Sequence, residues 1–167
     1  MDSEPLYPKE RWQLLGLMAE DQVDRLDINT DSEAAWIRLQ KRDKKRLQAM
    51  LELLAKFKQP TVENIGYDGS KAVWLLAQHS DFATMGRILK LLERLHLQNK
   101  PVYYQGIPYL KDRINVLQNK KQRYGTQFLI DEKNYWQLQP LVSSEHVNKW
   151  RAKFDLEPLA DEVIYGN

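Results

Sequence analysis

The chain has no cysteine, which excludes a disulfide framework, a thiolate nucleophile and a cysteine-ligated zinc site. Glycine and proline are sparse, seven of each in 167 residues, so no low-complexity linker divides the chain and disorder is expected only at its ends. Neither sign of charge dominates. With 25 basic against 23 acidic residues and a formal charge of +2, no polyanion-binding surface follows from composition, and nucleic acid is disfavoured as a partner. No apolar run approaches the ~20 residues of a membrane-spanning helix. The acidic start Met1-Asp2-Ser3-Glu4 lacks the apolar core of a signal peptide, so a soluble cytoplasmic protein without membrane association is expected. The chain also lacks a Gly-rich phosphate loop, a GxSxG elbow and an HExxH helix, which removes the common mechanisms that carry local signatures.

What the sequence does have is helical periodicity. It predicts a mainly α fold, a single helical domain over 1–167, with 1–8 as a flexible N-terminus. Leu14, Met18, Asp21 and Arg25 recur at helical spacing between Lys9 and Leu26, so an apolar stripe runs into charge in the last turns. Leu47, Met50, Leu51, Leu54 and Phe57 define a second helix ending before Gln59-Pro60. The basic block Lys41 to Arg46 opens that helix; broken by Asp43 and without interleaved aromatics, it reads as a solvated face. Asp68 or Ser70 is expected to cap a central buried helix over about 70–79, whose run Ala72-Val73-Trp74-Leu75-Leu76-Ala77 is apolar all round. Two further stripes follow, through Met85, Ile88, Leu89, Leu92 and Leu95, then through Ile107, Leu110, Ile114 and Leu117. A β-hairpin is expected over about 123–139, turning at Asp131 to Asn134, before a last helix through Val147, Trp150, Arg151 and Phe154.

Several polar groups fall where these stripes point inward. Asp21 and Arg25 are either a surface pair one turn apart or charges aimed at the interior. His79 extends the buried face past Leu75 and Leu76 at a helix end, and is either a packing residue or a proton-transfer group flanked by Gln78 and Asp81. Arg113 borders the core beside Asp112 and requires a carboxylate or a bound anion. In Gln122-Arg123-Tyr124-Gly125-Thr126-Gln127, Gly125 permits a sharp bend, while Tyr124, Thr126 and the two glutamines serve either a ligand or the hairpin itself. The three histidines are scattered, so no metal site is expected, His79 with Asp81 and Asp112 being the minimal ligand set the sequence offers, and no local motif selects a cofactor.

Five ordered motifs carry a resemblance. Asp21-Gln22-x-x-Arg25, Gln78-His79-x-Asp81, Leu110-x-Asp112-Arg113, Gln122-x-Tyr124-Gly125-Thr126-Gln127 and Arg151 through Leu156-Glu157-Pro158-Leu159 together resemble a bacterial domain-of-unknown-function family, over roughly Met18 to Leu159. That family's pattern reads DQ-x-x-R, QH-x-D, L-x-DR, Q-x-YG[ST]Q, RR…GL-x-PL. This chain departs from it where Val142-Ser143-Ser144-Glu145 replaces an acidic Asp-Pro stretch, Trp150 replaces the first arginine of RR, and Asp155 replaces the glycine of GL. The resemblance implies a shared polar site and supplies no mechanism.

The functional expectation is a buried polar pocket taking a small polar or anionic ligand. In one form it is an enzyme with His79 as acid or base, Asp112 or Asp21 orienting it, Tyr124 and Gln127 positioning substrate, and Arg25 with Arg113 holding an anionic group. In the other, Asp21, Gln22, Arg25, Gln78, Asp81, Arg113, Gln122, Gly125, Thr126 and Gln127 bind without catalysis. An interaction or immunity-type protein, with Tyr103, Tyr104 and Tyr109 at a partner interface, is the third form.

Overall fold

The computed structural model describes residues 4–26, 32–130 and 135–165. Among these, seven helices and one antiparallel hairpin form a mainly α fold, and no helix is long and apolar enough to cross a membrane. Residues 1–3 of the N-terminal segment and the hairpin turn 131–134 lie outside the described residues. The chain divides into two compact units, Met1–Tyr103 and Tyr104–Asn167.

In the first unit, α1 (Pro8–Leu26), α2 (Glu33–Phe57), α3 (Val62–Gln78) and α4 (Phe82–Leu97) assemble around α3. The mostly apolar sequence of α3 earns that place: Ile65, Ala72, Val73, Trp74, Leu76 and Ala77 are all buried. Against them pack Leu14 of α1, Met50, Leu53 and Phe57 of α2, and Met85, Ile88, Leu92 and Leu95 of α4. Leu6 and Tyr7 donate backbone N–H to the carbonyls of Glu63 and Asn64, and the Tyr7 ring lies 6.3 Å from that of Phe57.

Two helix starts differ from the sequence expectation. Helix α2 begins at Glu33, with the Ser32 side chain accepting from the Ala35 N–H, so the basic block sits mid-helix. Its first turns bury only Leu39, which leaves no apolar stripe to read. Helix α3 begins at Val62, capped by the Thr61 hydroxyl, and neither Asp68 nor Ser70 caps it. Gly66, at φ 73 and ψ 166, breaks the helical backbone, so α3 consists of two helical segments joined at a kink.

The second unit holds α5 (Gly106–Leu117), β1 (Phe128–Ile130), β2 (Trp136–Leu138), α6 (Val147–Ala152) and α7 (Asp161–Tyr165). The strands pair Phe128 with Leu138 and Ile130 with Trp136. They are shorter than the hairpin expected over 123–139, because residues 122–127 are tied to side chains in place of a second ladder. Tyr103, in the first unit, packs 5.0 Å from the Trp74 ring. Tyr104, in the second, donates its hydroxyl to Asp155. Both tyrosines are half-buried.

Candidate functional site

In the first unit the last turns of α1, the middle of α2 and the C-terminal end of α3 converge on Asp21, a carboxylate only 1 % exposed. Its Oδ1 lies 3.0 Å from His79 Nδ1 and accepts from Arg25 Nη2 at 3.0 Å. Its Oδ2 accepts from Gln22 Nε2 at 2.8 Å and from Arg25 Nε at 3.2 Å. Burial opposes the Asp21 charge, but the bonds and fields of His79 and Arg25 outweigh it and hold the carboxyl at about 2.

Arg25 Nε also lies 3.0 Å from His79 Nδ1, and the two N–H groups cannot both point at one another. The Nδ1–H tautomer accounts for the Asp21 contact and the Nε2–H tautomer for the Arg25 contact. With a proton on Nδ1, the imidazole donates to Asp21 Oδ1 and Arg25 Nε donates to Oδ2, whereas a bare Nδ1 would set its lone pair against the carboxylate. His79 is the C-cap of α3 and its side chain remains 19 % exposed.

Four residues that sequence reasoning did not assign to a site complete the cluster. Arg25 Nη2 reaches Asp43 at 3.0 Å; Arg46 bonds Asp43 at 2.8 Å and Asp24 at 2.5 Å, with its Nε 3.9 Å from Asp21; Arg42 meets Asp24 at 2.9 Å. Burial works against the Arg46 charge, and its bonds to Asp43 and Asp24 more than offset this, raising its pKa. Three carboxylates thus face three guanidiniums beside one imidazole. The solvated-face reading of the basic block holds for Lys41, Lys44 and Lys45, but Arg46 is buried. The signal was present, since Arg46 occupies a position on the buried stripe Leu39, Met50, Leu53 and Phe57.

Of the other motif residues in this unit, Asp81 caps α4, accepting from the Thr84 N–H and hydroxyl, each at 2.9 Å. Gln78 is half-buried at the end of α3.

The second unit gathers Asp112, Gln122, Tyr124, Gly125, Thr126, Gln127 and Arg151. Asp112 on α5 is fully buried, and its two oxygens accept from the backbone N–H of Arg123, Tyr124 and Thr126 and from the Thr126 hydroxyl. Burial pushes its carboxyl up, and those donors pull it down. Gln122, also fully buried, donates to the carbonyls of Gln127 and Gln139 while its own oxygen accepts from Gln127 N–H. Arg151 donates to the carbonyls of Tyr124, at 2.7 Å, and Glu157, at 2.6 Å.

These side chains do for loop 122–127 what a ladder does for a strand. Gly125 is required at its centre: φ is 63, and an added Cβ would stand 2.5 Å from Leu159 Cδ1. Asp155, where the resembled family carries glycine, has φ 50. The guanidinium of Arg123 lies 4.4 Å from the Trp150 ring centre. Arg113 is half-buried on α5. Among the described residues, no three His, Asp or Glu side chains are disposed to hold a metal ion.

A mainly helical chain with one small hairpin, two polar cores and no metal-ligand cluster among its described residues defines the class of protein. The chain belongs to the family of unknown function DUF6624, which matches residues 12–165. No curated protein and no solved structure matches it.

Proposed function

We propose that the protein is a small enzyme in which His79 moves a proton to or from a polar or anionic small substrate, with Asp21 as the positioning residue. One observation carries this reading: a buried carboxylate, held ionised, bonds Nδ1 of an imidazole that keeps access to solvent. With Nδ1–H given to Asp21, the lone pair of Nε2 is the proton acceptor. The imidazolium formed there would be stabilised by Asp21 and by the carbonyl end of α3. Arg25, a quarter exposed beside the ring, is the nearest group for an anionic part of the substrate, since its Nη1 has no partner among the described residues. The two motifs shared with the resembled family in this unit, DQ-x-x-R and QH-x-D, supply these residues. The loop of the second unit is a scaffold in this reading, with Asp112 and Tyr124 removed from the chemistry.

The test is turnover across nucleotides, sugar phosphates and acidic peptides, followed by NMR, with wild type beside His79→Gln. The reading expects one class to be consumed and the variant to be slower by about 10²–10⁴-fold at near-native thermal stability. No consumption, or equal rates, would remove it.

A further inference from the structure

Away from His79, the helices α2 and α4 leave between them a groove of about 630 Å³. Its floor is Leu51, Leu54 and Ala55 of α2 with Ile88 and Leu91 of α4. Its other lining groups are all cations, Lys58, Arg87, Lys90 and Arg94, without a carboxylate among them. All four are exposed, and none makes an ion pair with a described residue. This contrasts with the cluster around Asp21, where every arginine meets a carboxylate. In a chain whose formal charge is only +2, four unneutralised cations around one apolar trough are a local concentration of positive charge.

We infer that this groove is a docking site for an acidic amphipathic helix of a partner protein. Charge complementarity and the geometry of the walls select that occupant. The lining positions span Leu51 on α2 to its C-cap Lys58, and Arg87 to Arg94 on α4, each about two helical turns, or roughly 10 Å of axis. A third helix lying over two others meets their ridges along such a length. An extended peptide needs backbone partners, and the backbone groups along α4, and along α2 as far as Leu54, are spent within their own helices, so a helix, which bonds its own backbone, fits better.

Ala55 leaves room where a large apolar anchor of the partner would sit, with neighbouring anchors three or four residues away against Leu54 and Leu91. Glutamates flanking that stripe at helical spacing would meet Arg87, Lys90 and Arg94, which follow one another at intervals of three and four along α4. A fatty acid brings one carboxylate to four separated cations, and the floor has no aromatic ring on which a nucleobase could stack.

The proposal does not involve His79, so the two can fail independently. Its test uses three designed helical peptides with leucines at every third or fourth position and flanks of glutamate, glutamine or lysine. Fluorescence anisotropy against the full chain at low and physiological salt measures binding, and methyl NMR locates it. The expected result is that the glutamate peptide binds at least about tenfold tighter than the glutamine peptide, with the gap closing as salt rises. Chemical shifts should change at Leu51, Leu54 and Leu91. The double variant Lys90→Glu with Arg94→Glu should lose that advantage. Ala55→Trp, which fills the trough without altering charge, should lose binding of both peptides, and His79→Gln should bind like wild type.

Both groove variants alter exposed residues, and helical content by circular dichroism confirms that each is folded. Equal affinity for glutamate and glutamine peptides overturns the inference, as does unchanged binding in the charge-reversed variant. So does binding to anionic phospholipid vesicles or to a single-stranded oligonucleotide when neither peptide binds.

Discussion

Replacing Asp21 by asparagine removes the one carboxylate that touches Arg25, His79 and Gln22 together. Holding its carboxyl at about 2, against an ordinary 3.8, corresponds to roughly 2 kcal/mol of stability at neutral pH. Breaking a fully buried pair costs about 3–5 kcal/mol, but Arg25 keeps Asp43 as a partner and partial solvent access, which lowers the figure. We therefore expect Asp21→Asn to cost about 2–3 kcal/mol.

The pH dependence has a definite sign. A carboxyl depressed in the folded state contributes stability that is complete above its unfolded pKa and is lost as the pH falls through the folded one. Between about pH 5 and about pH 3, wild type should lose roughly 1 kcal/mol more than the variant, because only wild type has this group to protonate. Asp68 and Asp81 are also depressed, but they are common to both proteins and cancel in the comparison. Urea unfolding of both at neutral and acid pH, followed by tryptophan fluorescence, measures the difference. A variant as acid-sensitive as wild type would show that the cluster does not hold Asp21 ionised.

Gly125→Ala should destabilise the chain by about 1–2 kcal/mol through its positive φ and the approach of Leu159. In a Leu159→Ala background the steric part should vanish while a cost of about 1 kcal/mol from the backbone persists, as equilibrium unfolding of the four proteins would resolve. Asp112→Asn offers one acceptor oxygen and a misplaced donor to a set of N–H groups, at a cost of about 3 kcal/mol. Amide exchange at Arg123, Tyr124 and Thr126 should accelerate selectively in that variant, and unchanged protection there would contradict the clamp.

Much of the helical framework was legible because its stripes are continuous. Helix α1, predicted from Lys9 to Leu26, runs Pro8–Leu26, and the buried run from Ala72 to Ala77 lies within α3. The start of α2 was not legible, since Trp36 and Ile37 are exposed and only Leu39 anchors those turns.

At the candidate site, Asp21, Arg25 and His79 were legible as an inward continuation of apolar faces. Arg46 was hidden in a basic block whose other members are mostly exposed, and only its register on α2 distinguishes it. The polar residues from Gln122 to Gln127 carried two readings that spacing could not separate. Their bonds to Asp112, to Gln139 and to one another account for the structural one.

The central claim is that Asp21 fixes His79 with its proton on Nδ1 and leaves Nε2 to act. Long-range ¹H–¹⁵N NMR of the imidazole, at a pH where it is neutral, reads the tautomer directly. The account predicts an Nδ1-protonated ring in wild type and loss of that preference in Asp21→Asn. A neutral His79 carrying its proton on Nε2 in wild type would contradict it.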